Sequence, residues 1–343
     1  MFFVTQLRQL KARDATLKPK EDFTLALSEL GFATLGIERY DTTGLTEKEK
    51  NERIAGQVGG VSGGDVVVYQ YPNYMWAVYE TEMIRQMKSR GATVIGMIHD
   101  VDYLRFEAFG KASDIVLFNE MDALIVLSKK MRTQLAADGV TVPMIVRGPW
   151  DYFINVPLPD RHFSTTISYA GNLEATKAGF LDTFPADLHL ELYGVGLDET
   201  RTLPDSVTYQ GSQDPDMLSS VLADGFGLVW DGNTSETIAG NYGDYLTYNL
   251  SHKLSLYLGS GLPVIINEQD SCAEFVRQNK LGIVVKSLTE LPDVFAGLDE
   301  KRYGELLANV NKVGNLIKHG RFAQMAVLAA LRTLNLQYDD SFS

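Results

Sequence analysis

Residues 248–266 read Y-N-L-S-H-K-L-S-L-Y-L-G-S-G-L-P-V-I-I, and this stretch decides the fold. Asn249 and Ser251 can each cap a helix by accepting a hydrogen bond from an orphan backbone N–H. Leu250, Leu254, Tyr257 and Leu258 recur at helical spacing and give one apolar face. Gly259 and Gly261 end the helix, and Pro263 keeps it from restarting. Val264, Ile265 and Ile266 then form the short all-apolar run of a parallel strand covered on both faces. The stretch therefore reads as a helix feeding a buried strand, with Lys253 in the first helical turn. Backbone N–H groups plus an ammonium suit a phosphate-bearing ligand. An ordinary helix–strand unit with a surface lysine has the same spacing. A cation in a first turn opposes the helix dipole by roughly 0.3–1 kcal/mol. Replacing Lys253 with alanine is accordingly expected to leave folding intact or slightly improved.

Similar units lie on both sides of this stretch. Before it, apolar runs at 165–170, 188–193, 207–209 and 226–230 end on Gly171-Asn172, Gly194, Gly211-Ser212 and Asp231-Gly232. After it come a helix over 273–279, a strand over 281–285, and helices over 303–313 and 321–334. An earlier series starts with a candidate edge strand at 2–7. Helices follow over 20–30 and 48–57, strands over 33–40 and 65–72, and an aromatic loop of Tyr71, Tyr74 and Trp76. A helix to about residue 90, then strands over 93–100, 123–127 and 144–146, complete it. Strands alternating with helices argue for parallel, doubly wound sheets. The segment 148–159, G-P-W-D-Y-F-I-N-V-P-L-P, carries three prolines and reads as a linker and hinge. The expected class is α/β, with Rossmann-like domains over 1–150 and 151–343, the terminal helix packing back on the N-terminal domain.

At 343 residues the chain is long for one core and comfortable for two. Its formal net charge of −13 makes a nucleic-acid backbone an unfavourable partner. A local pocket of dipoles and one or two cations can still hold a small anion. One cysteine, Cys272, forbids an intrachain disulfide and suits a reducing compartment. No signal-peptide pattern or membrane-length apolar run occurs, so the expected location is cytoplasmic.

In open parallel sheets ligands sit at the carboxyl ends of strands, where this chain repeatedly places glycine. Turn-making alone explains any single one of these glycines. Neither G-x-G-x-x-G nor G-x-x-x-x-G-K-[ST] is present, which argues against a dinucleotide dehydrogenase and a P-loop nucleotidase. His99-Asp100-Val101-Asp102 stands at another strand end. The imidazole beside carboxylates can serve as a general base, and Asp-x-Asp can hold a divalent ion on a diphosphate. Either aspartate can also simply cap the next helix. The histidines and the cysteine form no zinc spacing, and no serine has the strand-elbow context of a hydrolase nucleophile.

The segment S-H-K-L-S-L-Y-L-G-S-G-L-P-V-I resembles the C-terminal donor-site segment of GT-B glycosyltransferases. More closely, the chain resembles the bacterial glucosyltransferase 3 (GtfC-like) family, which extends O-linked GlcNAc on serine-rich repeat adhesins. I-H-D-V (98–101), G-P-W-D (148–151), A-G-N (170–172), G-F-G-L-V-W-D (225–231) and L-G-I-V-V-K (281–286) are similar to family segments in the same order. The resemblance implies a GT-B-like pair of domains facing a cleft, with UDP-sugar in the C-terminal half and the acceptor against the N-terminal half. It implies that Lys253 meets the diphosphate. Gly171, Asn172, Tyr209 and Gly211 would meet the nucleotide, and Thr16 would lie in the interdomain cleft. Tyr193, Asn249, Ser251 and Glu274 complete the implied donor site. The family has an arginine shortly after its G-N pair, whereas this chain has G-N-L-E-A-T-K, so Lys177 stands in without an arginine's bidentate fork.

The expected reaction moves a hexose or N-acetylhexosamine from UDP to O-linked GlcNAc on a serine-rich glycoprotein. Lys253 would stabilise the leaving diphosphate without a metal or other cofactor. His99 or Asp100 would be the base if the anomeric centre inverts, and would orient the acceptor if it is retained. Related members transfer galactofuranose, so that activity is an alternative. A metal-dependent transferase using Asp100 and Asp102, and a non-catalytic nucleotide-sugar-binding subunit, are others. The family resemblance also implies a homo-oligomer.

Overall fold

The structure, a computed structural model, describes residues 1–8, 17–106, 110–198 and 200–335. It opens with β1 (Phe2–Arg8), α1 (Leu17–Ser28), β2 (Ala33–Glu38), α2 (Glu47–Gln57), β3 (Val66–Tyr71) and α3 (Ala77–Ser89). Next come β4 (Thr93–Ile98), α4 (Lys111–Glu120), β5 (Ala123–Val126), α5 (Lys129–Ala137) and β6 (Met144–Val146). The second series runs β7 (Ile167–Asn172), α6 (Ala175–Ala178), β8 (Leu190–Val195), β9 (Val207–Tyr209), α7 (Leu218–Val221) and β10 (Phe226–Val229). It continues with α8 (Gly240–Leu246), α9 (His252–Gly259), β11 (Val264–Asn267), α10 (Ala273–Asn279) and β12 (Gly282–Val285). Helices α11 (Leu291–Ala296), α12 (Glu300–Lys318) and α13 (Arg321–Asn335) close the chain.

Two compact units result: Met1–Gly148 with the chain from Gly320, and Pro149–His319. The first holds a parallel six-stranded sheet in the order β2-β1-β3-β4-β5-β6. β3, β4 and β5 are nearly continuous runs of buried apolar residues, as strands covered on both faces must be. β1 is not an edge strand. It lies between β2 and β3, with Phe3 opposite both Ala33 and Val67. Its polar Thr5 tolerates full burial because its hydroxyl accepts from Gln70 N at 2.8 Å. The last helix belongs to this unit as well. Gln324 Nε2 donates to Ala26 O at 2.9 Å, and the Phe322 ring lies so close to Gly148 that a Cβ there would come within 2.5 Å of it.

The second unit holds another parallel six-stranded sheet, in the order β12-β11-β10-β7-β8-β9. Tyr169, Phe180, Phe226, Trp230 and Tyr303 anchor its core. The proline-containing segment after Gly148 has no regular element before β7. It is nevertheless tied down: Trp150 Nε1 donates to Leu250 O at 2.8 Å, and its indole stacks on the His252 ring at 4.7 Å. In this sheet order the winding reverses between β7 and β10, so the crevice at their carboxyl ends is where a ligand fits. Among the described residues no helix is long and apolar enough to cross a membrane.

Candidate active site

Helix α9 is aimed at that crevice by its own sequence. Ser251 caps it, accepting from Lys253 N at 3.3 Å, while Gly261 adopts φ +80° just beyond its end, as a helix-terminating glycine does. Asn249 is not a cap; its carbonyl instead accepts from the Ser271 hydroxyl. One helical turn after Lys253, Tyr257 lies across Gly227 of β10, where a Cβ would sit 2.0 Å from the ring. Its hydroxyl accepts from Ala170 N at 2.8 Å. Glycine in β10 and a tyrosine on α9 thus fix the helix over the ends of β7 and β10, which brings Lys253 to the crevice.

Lys253 is buried, and its ammonium donates to Asp231 Oδ1 at 2.7 Å. It lies 4.8 Å from the centre of the Tyr169 ring. Asp231 also accepts from the Tyr169 hydroxyl at 2.9 Å, and Lys177 Nζ stands 3.9 Å from its other oxygen. Gly171, at the end of β7, leaves room for this arrangement: a methyl there would come 3.1 Å from Lys253 Cε. Burial lowers the Lys253 pKa, Asp231 opposes that shift, and Lys177 adds to it. The ion pair changes the expectation for folding. A lysine at the helix start is mildly unfavourable for the helix alone, but here it neutralises a carboxylate that is itself 5% exposed.

Asp270, in the turn after β11, is 4% exposed and accepts from Cys272 N at 2.8 Å, while its Oδ2 has no hydrogen-bond partner among the described residues. Burial pushes its carboxyl up to about 8, against the Cys272 bond; Asp231 adds to the shift and Lys253 opposes it. A carboxyl shifted in that direction offsets the two lysines of the crevice less than an ordinary aspartate would.

The neighbouring strand ends are knitted together by backbone. Gly194 N donates to Gly211 O at 3.0 Å, and the Tyr209 hydroxyl donates to Gly194 O at 2.8 Å. A Cβ on Gly194 would sit 1.8 Å from Gly171 O, so glycine is required there. Asn172 uses its side chain locally, accepting from Glu174 N at 2.8 Å. Tyr193 sends its hydroxyl to Glu191 and Val221 rather than to the lysines. Glu274 lies on α10 at the surface, paired with Arg277 at 2.7 Å. Thr16 lies outside the described residues. Sequence reasoning missed the roles of Asp231, Tyr169 and Asp270. Only Asp231 carried a signal, as the first charged residue after an apolar strand.

In the first unit, His99 Nε2 is 2.8 Å from Gln70 Oε1. The Gln70 amide donates to the Thr5 carbonyl at 2.6 Å and to Thr24 Oγ1 at 3.0 Å, which fixes its oxygen toward the ring. His99 Nε2 therefore carries the proton and Nδ1 the lone pair. The ring is only 6% exposed. Asp100 is more open, with 22% side-chain exposure. Arg105 draws on both neighbouring carboxylates, Nη2 reaching Asp102 at 2.6 Å and Nη1 reaching Asp100 at 4.0 Å. Among the described residues no cluster of three His, Cys, Asp or Glu side chains forms a metal site.

Comparison with known proteins adds to this geometry. A family model described as "Glucosyltransferase 3-like, N-terminal domain" matches residues 1–149, and its C-terminal counterpart matches residues 167–330. The chain is 30% identical over 333 residues to Glucosyltransferase 3 of Streptococcus gordonii, covering 96% of this chain and 97% of that one. It is 27% identical over 335 residues to beta-1,6-galactofuranosyltransferase WbbI of Escherichia coli K12, covering 94% and 96%. Sucrose-phosphate synthase from Thermosynechococcus elongatus aligns with a TM-score of 0.62 at 12% identity, over 97% of this chain and 99% of that one. That likeness concerns the fold, which is the GT-B fold.

Proposed function

The chain belongs to the glucosyltransferase 3-like family of glycosyltransferases, and from that premise we propose that it moves a hexose or N-acetylhexosamine from a UDP-sugar to O-linked GlcNAc on a serine-rich protein. The observation that carries this reading is the convergence of Lys253 and Lys177 on Asp231 at the winding reversal of the second sheet. A diphosphate gains negative charge as its bond to the sugar breaks. A fixed ammonium therefore stabilises the transition state more than the bound donor. Asp231 and Tyr169 hold Lys253 in one place, so little reorganisation accompanies the reaction. Gly171 presents no side chain toward Lys253, which leaves the end of β7 open to close approach of the phosphates. Asp100, the more accessible of the two candidates in the first unit, would take the acceptor proton if the anomeric centre inverts, with His99 positioning it. If the centre is retained, the pair orients the acceptor.

This chemistry needs no metal, and Arg105 already engages the carboxylates of Asp100 and Asp102. We expect a homo-oligomer working in the cytoplasm, where the single buried cysteine stays reduced. Transfer of galactofuranose is the second reading, supported by the 27% identity to a galactofuranosyltransferase. A panel of UDP-sugars, each incubated with and without a synthetic serine-O-GlcNAc peptide, tests the proposal. Addition of one hexose or N-acetylhexosamine to the peptide supports it. Transfer from UDP-galactofuranose alone favours the second reading, and UDP binding without any transfer removes the enzymatic one.

A further inference from the structure

The loop after β3 spends backbone strain to present an aromatic side chain to solvent. Tyr74 and Trp76 adopt φ +58° and +69°, a region that bulky residues avoid. Buried groups hold the loop there. The Glu80 carboxylate, 2% exposed, accepts from Asn73 N at 2.9 Å, and Tyr69 donates to it from below at 3.0 Å. Lys20 donates to Pro72 O. The outcome of this support is an indole that is 79% exposed.

Beside it opens a cavity of about 480 Å³, within the size range of small-molecule sites. Its walls come from the loop after β2, through Arg39, Tyr40, Asp41 and Thr42, and from Tyr74, Met75 and Trp76 after β3. These strand ends flank β1, where the first sheet reverses its winding, the position that favours a ligand. The Arg39 guanidinium lies 5.6 Å from the Tyr74 ring centre, and Arg53 lies 4.7 Å from that of Tyr40. The walls thus combine an exposed aromatic plane, a hydrogen-bond donor in Arg39 and an acceptor in Asp41. Hydrogen bonds from Thr43 hold the Asp41 carboxyl below its usual range, so it stays an acceptor.

We propose that this cavity binds a neutral hexopyranose residue of the acceptor, with Trp76 stacked on its C–H face and Arg39 and Asp41 reading its hydroxyls. A sugar ring offers an apolar face for the indole and rim hydroxyls that both donate and accept, matching a wall with one cation and one anion. A phosphate would meet Asp41 unfavourably. The inference rests on the transferase reading for what the sugar is doing there, but the quenching measurement that tests it does not depend on turnover.

The three tryptophans divide sharply. Trp76 is 79% exposed, whereas Trp150 and Trp230 are 2% and 0% exposed, so iodide quenching of fluorescence reports on Trp76. N-acetylglucosamine and a serine-O-GlcNAc peptide are expected to shield it from iodide, and UDP is not. In transfer assays Trp76→Ala should raise the acceptor KM by about tenfold or more, leaving kcat and the donor KM nearly unchanged. Trp76→Phe should recover most of the loss. Unchanged quenching up to the highest soluble concentrations of N-acetylglucosamine and of the glycopeptide would overturn the site, as would an unchanged acceptor KM in Trp76→Ala where transfer occurs. If no UDP-sugar is transferred at all, the functional reading fails while the quenching experiment still judges the site.

Discussion

Replacing Lys253 with methionine separates the two roles that the structure gives this residue. The change keeps the volume and apolar stem but removes the ammonium 2.7 Å from Asp231. The two residues are 8% and 5% exposed, so the pair is buried. Losing one partner of such a pair typically costs about 3–5 kcal/mol. Here Asp231 keeps the Tyr169 hydroxyl at 2.9 Å and Lys177 at 3.9 Å, which lowers the expected cost to about 2–3 kcal/mol. For a unit of this size that corresponds to a drop in Tm of roughly 4–12 °C. Adding Asp231→Asn should restore most of the lost stability, because no uncompensated carboxylate remains. Turnover should fall by about 10²–10³-fold in Lys253→Met and stay low in the double variant. The measurements are thermal melting and transfer rate for both singles and the double. Strictly additive stability effects, or normal turnover in a folded Lys253→Met protein, would refute the reasoning.

Other perturbations follow from the same geometry. Asp270 ionises near 3.9 when unfolded and near 8 when folded, so the folded state alone keeps this proton between those values. Its contribution to stability therefore declines as pH rises from about 4 to about 8. Asp270→Asn, which preserves the acceptor for Cys272 N, should raise the urea midpoint more at pH about 8 than at pH about 5; an equal shift at both would contradict the assignment. Gly194→Ala places a methyl 1.8 Å from Gly171 O and should destabilise by at least about 2 kcal/mol, with loss of UDP-induced thermal protection. Transfer should proceed in excess EDTA. Loss of activity that manganese restores would move the chemistry to Asp100 and Asp102.

Much of the fold is legible because its signals are local. The cap at Ser251, the glycines after α9 and the apolar run of β11 all act within a few residues of one another. The central position of β1 is not local: Thr5 becomes compatible with burial only through Gln70, sixty-five residues away. The return of α13 to the first unit depends on Gln324 finding Ala26, again far along the chain. The site divides in the same way. Lys253 announces itself by violating helix electrostatics, whereas Asp231 looks like one more turn residue until folding places it under the ammonium. Asp270 becomes unusual only through burial, which no spacing encodes. Glu80 appears as an ordinary helix glutamate although it anchors the loop that bears Trp76.

Amide hydrogen exchange with and without UDP tests the central claim most directly, because it locates the donor without requiring a known acceptor. Binding at the crevice predicts protection concentrated at the end of β7 around Gly171, at the Gly194 turn and at the start of α9 around Lys253, with Lys253→Met weakening all three together. Protection confined to the first unit, or protection at the second that survives intact in Lys253→Met, would contradict it.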